Sequence, residues 1–219
     1  MILFHGSTEI VEKPVFGYGR ADNDYGIGFY CTEDRLLASE WACLSSRGGF
    51  VNTYEIDLNK LKVLDLSEMN VVSWIALLIN NRSVRYSSPI EKKSADYLMT
   101  HFLPDTSSFD VICGYRADDS YFSYARAFLS NTISIQQLCE ALRLGDLGKQ
   151  ICLKSKKSFS AIRFKSYEPV DGEVFYPKRV ERDTKARRAY YKLLEKDIMD
   201  GVFVRDIVRE EMKADDLRI

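Results

Sequence analysis

The chain has 219 residues, of which 46% are apolar and 29% charged, and its formal net charge is -1. That balance excludes a bulk electrostatic attraction to nucleic acid, and the length suits one folded domain with a C-terminal appendage, at roughly 100–200 residues per domain. No stretch reaches the ~18 consecutive apolar residues of a membrane span, and Met1 to His5 lacks the basic segment and long apolar run of an export signal.

The five cysteines, Cys31, Cys43, Cys113, Cys139 and Cys152, are scattered and odd in number. Without a C-x-x-C spacing or a histidine cluster they read as reduced thiols, which predicts a cytoplasmic protein with neither a disulfide framework nor a zinc site. His5 and His101 are too far apart in the chain to suggest a metal centre.

In chain order, Ile2 to His5 is a short apolar run stopped by Gly6 and reads as a buried strand. Glu9 to Pro14 is an extended piece, because Pro14 disfavours helix at Lys13. Gly17, Gly19, Asp22, Asn23, Asp24 and Gly26 mark a loop, and a second strand follows at Gly28 to Cys31. Thr32 is placed to cap a helix with Glu33 and Asp34 in its first turn. Leu37, Trp41 and Leu44 give that helix an apolar stripe, ending near Gly48-Gly49. Phe50 to Leu58 and Leu61 to Leu66 read as strands around an Asn59-Lys60 turn, which predicts a hairpin.

Asn70 to Asn81 is a strongly apolar helix, and Glu91 to Phe102 a weaker one. Phe109 to Cys113 reads as a buried strand stopped by Gly114. Tyr121 to Leu129 and Ser134 to Arg143 are helices, the latter capped by Ser134. Gln150 to Leu153 and Ser160 to Phe164 read as further strands. Past Tyr167-Glu168-Pro169 the charge density rises, and Val180 to Asp197 and Val202 to Lys213 read as helices. Strands interrupted by helices without strict alternation predict an α+β fold, with a core over 1–168 and a helical appendage over 169–219.

The chemistry concentrates between Leu3 and Trp41. Phe4-His5-Gly6-Ser7 sets an imidazole beside a glycine whose backbone can approach a ligand, and Gly26-x-Gly28-x-Tyr30 frames an aromatic ring. In these two segments the chain resembles the ADP-ribosyltransferases of the His-Tyr-Glu class, the poly(ADP-ribose) polymerase-like branch. More closely, it resembles a family of uncharacterised bacterial domains of that superfold, found largely in toxin–antitoxin pairs.

The resemblance implies a split two-sheet core with NAD as co-substrate. It implies that His5 hydrogen-bonds a ribose hydroxyl, that Gly6 holds the nicotinamide carboxamide, and that Ser7 and Arg20 contact the adenosine and phosphate half. Tyr30 would stack on nicotinamide, and Trp41 matches an aromatic on the ring's other side, although its helical stripe equally suits core packing. Ala38 replaces a serine that binds the carboxamide in many polymerase-like members, a loss of about 1 kcal/mol of grip.

The third catalytic position, a glutamate in the family, matches Gln150, which cannot take a proton near neutral pH. Asp118 or Asp119 is the alternative carboxylate, unless that pair is a solvated turn. The function implied is transfer of one ADP-ribose, or hydrolysis of NAD, by a toxin held in check by a small antitoxin protein; the acceptor is left open. Two other readings stand beside it: an inactive NAD- or ADP-ribose-binding module, and a nucleic-acid-binding accessory protein using Lys154, Lys156, Lys157 and Arg163.

Overall fold

The computed structural model describes residues 1–117, 119–144, 148–196 and 200–217, with backbone only at 119–121. In order the elements are β1 (Ile2–Ser7), β2 (Phe29–Cys31), α1 (Arg35–Ala42), β3 (Gly49–Glu55), β4 (Val63–Asp65), α2 (Val71–Asn81) and α3 (Pro89–Phe102). There follow β5 (Val111–Tyr115), α4 (Asp119–Leu129), α5 (Ile135–Ala141), β6 (Lys149–Leu153), α6 (Lys156–Ala161), β7 (Arg163–Val170), α7 (Gly172–Leu194) and α8 (Val204–Arg209).

The strands form two sheets, β1-β3-β7 and β2-β6-β5-β4, antiparallel throughout except for the β4/β5 pair. Leu3, Phe29, Cys31, Tyr54, Val111, Ile151 and Leu153 pack together where the sheets meet. α1 covers the other side of the first sheet, its Ala38 and Ala42 packing with Val51 of β3. α2 is largely apolar and buried from Val72 to Ile79, and α3, α4 and α5 share its core against the second sheet. Ala186 and Leu193 of α7 and Val204 and Ile207 of α8 belong to that same core.

Several expectations need correction. Leu61 N–H does donate to the Leu58 carbonyl at 2.9 Å, closing a turn at Asn59-Lys60, but the flanking strands do not form a hairpin. Both edges of β3 are taken, by β1 and β7, so β4 crosses to the other sheet and pairs parallel with β5. Thr32 does not cap α1. Its backbone is bridged to Phe4, its hydroxyl accepts from Asp34 N–H at 3.1 Å, and Asp34 is the cap, accepting from Leu36 and Leu37 N–H at 2.8 and 3.1 Å.

α1 also stops early, at Ala42, leaving Leu44 64% exposed rather than on a core stripe. β5 continues through Gly114 to Tyr115. Ser160 lies in a helix, because Ser155 and Ser158 form a reciprocal capping box that starts α6, and the last strand begins only at Arg163. That strand tolerates Pro169 because β7 is a sheet edge, where a missing N–H breaks no ladder.

Candidate functional site

The two sheets touch at one antiparallel rung, where Phe4 N–H donates to the Thr32 carbonyl at 2.8 Å and Thr32 N–H to the Phe4 carbonyl at 2.9 Å. The next rung along this edge would pair Gly6 with Tyr30, since backbone groups of alternate residues face the same edge. That rung is missing. The Tyr30 carbonyl instead accepts the His5 Nδ1–H at 2.7 Å, so the Gly6 peptide groups face a gap in which β2 supplies no partner.

The His5 bond fixes its tautomer, because a carbonyl can only accept. Nδ1 carries the proton, and Nε2 is an acceptor. Burial pushes the imidazole below its usual value of 6.5, against the raising effect of the Tyr30 hydrogen bond, and the ring packs on Phe29 with centroids 4.4 Å apart. The group is therefore neutral and suited to accept from a hydroxyl.

The Tyr30 hydroxyl is committed elsewhere. It donates to the Gly26 carbonyl at 2.6 Å and accepts from Tyr25 N–H at 3.0 Å, which pins the preceding loop, and burial holds its acidity far below the ordinary phenol's. What Tyr30 offers a ligand is its ring.

The motif glycines have packing roles that the sequence reading did not anticipate. A Cβ on Gly6 would lie 1.9 Å from the Ala38 carbonyl oxygen of α1, and one on Gly28 would lie 2.3 Å from Cys152 Sγ. Gly6 is thus required because helix α1 crosses directly over β1, while its backbone still lines the gap.

A cleft of about 1100 Å³ opens here and gathers His5, Gly6, Arg20, Tyr30, Trp41 and Gln150, although they come from five separated stretches. Trp41 faces the cleft and also packs on the main core; the Arg116 guanidinium lies over its ring at 4.4 Å, and its buried Nε1 has no hydrogen-bond partner among the described residues. Arg20 sits at the exposed rim in a two-bond pair with Asp22 at 3.0 and 2.7 Å. Ser7 is outside the lining; its hydroxyl donates to the Glu9 carbonyl at 2.5 Å and accepts from Asn52 Nδ2 at 3.1 Å. Asp118 lies outside the described residues, and Asp119 begins the α4 backbone.

Gln150, at the start of β6, is buried, with its Nε2 donating to Asp24 Oδ2 at 2.8 Å and to the Tyr115 carbonyl at 3.2 Å. Asp24 lines the cleft and was missed as a candidate, because Asp22-Asn23-Asp24 reads as turn chemistry. Burial raises its carboxyl above the usual range, while hydrogen bonds from Ala117 and Gln150 and the charges of Arg82 and Arg116 pull it down.

The far wall is α7, which presents Tyr176, Arg179, Val180, Asp183, Ala186 and Arg187 to the cleft. Their three- and four-residue spacing is a helical face, a signal that was legible in the sequence. Six arginines line the cleft among the described residues, Arg20, Arg82, Arg116, Arg179, Arg182 and Arg187, against Asp22, Asp24, Glu40 and Asp183. This excess of guanidinium suits an anionic ligand, although several forks already hold carboxylates.

Of the basic group near β6, Lys154 is turned inward and Lys157 remains exposed. Lys154 Nζ donates to the Tyr25 carbonyl at 2.5 Å, and Lys157 reaches the Lys60 carbonyl and Asp110. No described helix is long and apolar enough to cross a membrane, and the described residues hold no cluster of metal-ligating side chains.

Fold and cleft define a mixed α/β protein with a ligand-sized cavity at the junction of two sheets. The chain belongs to the family described as protein of unknown function (DUF3990), matched over residues 1–164. Comparison with curated proteins gave no match, and neither did comparison with solved structures.

Proposed function

We propose that the protein is an NAD-consuming ADP-ribosyltransferase or NAD glycohydrolase, built on an ADP-ribosyltransferase-like split core. The observation that carries this reading is the meeting, in one cleft, of an unladdered peptide edge at Gly6, a neutral imidazole acceptor at His5 and the Tyr30 ring. A carboxamide presents one acceptor and two donor hydrogens, which adjacent peptide N–H and C=O groups complement. Stacking on Tyr30 contributes about 0.5–1.5 kcal/mol beyond burial, His5 Nε2 accepts from a ribose hydroxyl, and the arginines meet a pyrophosphate. The cleft, about 1100 Å³, lies just above the range of ordinary ligand sites, ~300–1,000 Å³, which suits a ligand as large as a dinucleotide.

In the reaction the bond between ribose C1′ and the pyridinium nitrogen breaks and its electron pair leaves with nicotinamide. Water or an acceptor nucleophile then bonds to the oxocarbenium-like carbon and releases a proton. Positioning and charge stabilisation promote this step without an obligatory base. The acceptor is a protein, a nucleic acid or a small molecule, which the fold alone does not choose.

Purified protein is expected to release nicotinamide from NAD, or to transfer label from adenylate-labelled NAD, and His5→Ala and Tyr30→Ala are expected to abolish both. Unchanged activity in the two variants refutes the site. Gln150 favours a second reading, a pocket that binds NAD without consuming it, since an amide takes no proton; calorimetric binding without nicotinamide release identifies that case. The family resemblance extends the first reading to a toxin restrained by a small partner protein. Growth arrest on expression, absent for His5→Ala, tests it.

A further inference from the structure

The orientation of the Gln150 amide is fixed by chemistry. Its nitrogen faces two acceptors, Asp24 Oδ2 at 2.8 Å and the Tyr115 carbonyl at 3.2 Å, so an inverted amide would set oxygen against oxygen twice. Oε1 is the atom left to meet a ligand, in a side chain that lines the cleft. Behind it, Asp24 is 8% exposed and also accepts from Ala117 N–H at 2.9 Å and from Arg82 Nη1 at 3.2 Å. Among the described residues the three groups bonded to the carboxylate are all donors, and none gives a carboxyl proton an acceptor, so this hydrogen bonding favours the anion against the burial that favours the acid.

We propose that Asp24 and Gln150 act as one divided carboxylate: Asp24 holds the charge, and Gln150, polarised through its amide nitrogen, presents Oε1 as a strengthened acceptor to a hydroxyl of the ribose being cleaved. The inference rests on the NAD reading of the cleft. A hydrogen bond donated at an amide nitrogen raises electron density at its oxygen, and the effect is larger in a low-dielectric site. Gln150 is then the group that touches substrate, and Asp24 is a positioning and polarising residue. The negative charge near the ribose stabilises the oxocarbenium-like carbon, which a neutral amide alone would do poorly.

The test is a four-chain cycle of the native protein, Asp24→Asn, Gln150→Glu and the double variant, with kcat, KM and melting temperature measured for each. The divided carboxylate predicts that Asp24→Asn loses about 100-fold in kcat with KM little changed. It predicts that Gln150→Glu also loses activity, because two carboxylates then face each other. The double variant moves the charge from Asp24 to position 150 and relieves the facing carboxylates, but it leaves a glutamate oxygen against the Tyr115 carbonyl, so it is expected to recover over Gln150→Glu without reaching the native rate. Gln150→Met, which lacks Oε1 and leaves Asp24 its other two donors, is expected to match the loss in Asp24→Asn, and it serves where Asp24→Asn does not fold.

Unchanged kcat in folded Asp24→Asn or Gln150→Met overturns the inference and leaves the NAD reading standing. A native chain that neither binds nor consumes NAD overturns the functional reading, and this inference with it.

Discussion

Glu40 of α1 accepts both hydrogen bonds of the Arg182 fork of α7, each at 2.9 Å, and so ties the far wall of the cleft to the helix that carries Trp41. Glu40 retains 7% of its side-chain exposure and Arg182 26%, so the two halves of the pair are not equivalent. Arg182→Met strands a buried carboxylate and is expected to cost about 3 kcal/mol, at the low end of the range for broken buried pairs. Glu40→Gln leaves a cation that water still reaches, and is expected to cost about half as much. Melting curves check the order: the arginine variant falls by roughly 6–12 °C, and the glutamine variant by clearly less.

Gly6→Ala would drive a methyl group into the Ala38 carbonyl oxygen, with backbone on both sides of the clash. Neither β1 nor α1 can yield by a side-chain rotation. The expected cost is about 3 kcal/mol or more, at the severe end of overpacking. Because α1 would shift with its tryptophan, the proposed binding of NAD, followed by calorimetry, should weaken even in whatever fraction remains folded.

His5 gives a pH dependence with a definite sign. Burial holds its folded value below 6.5, whereas the unfolded chain takes up the proton near 6.5. The residue's stabilising contribution is therefore complete above that pH, and is lost as the pH falls toward the lowered folded value. His5→Gln removes this term. Unfolding free energies at intervals between pH 7.5 and 5 should fall less steeply for the variant than for the native chain, and equal slopes would show that the imidazole is not desolvated.

Asn52 is buried on β3 and organises the turn after β1. Its Nδ2 donates to Ser7 Oγ at 3.1 Å and to the Glu9 and His5 carbonyls at 3.2 and 3.3 Å, while its Oδ1 accepts from Val11 N–H at 2.8 Å. Asn52→Leu leaves the Val11 N–H without its acceptor and takes a donor from the Glu9 carbonyl, which keeps the Ser7 hydroxyl, and is expected to cost about 1–3 kcal/mol. Hydrogen exchange at Val11 offers a local readout: the variant should exchange there at a rate set by local opening, well before the sheet does.

The positions of the helices were legible where chemistry at a single residue sets a boundary. Asn70 and Ser134 cap α2 and α5 as their side chains suggest, with Ser134 closing a full box with Gln137. Strand partners were not legible in the same way. Phe50–Leu58 and Leu61–Leu66 look like a hairpin by local pattern, yet which edge of β3 is vacant depends on β1 and β7, which lie far away in the chain.

The candidate site divides similarly. His5 and Tyr30 stand in recognisable local motifs, while Asp24 acquires its importance only when folding brings Gln150, Arg82 and Ala117 around it. Glu40 gave no local sign either, because its partner lies on α7, far along the chain.

The stretch shared with the family ends at residue 164, inside β7, whereas one whole side of the cavity is built from the helix that follows. Relatives that diverge past that point would therefore keep the His5 and Tyr30 walls of the cleft with a different enclosure, and so would differ in which molecules fit it. A fragment trimmed to the shared boundary would leave Glu40 unneutralised and its cavity unwalled. A failure of such a fragment to bind ligand would speak to the trimming, not to the family.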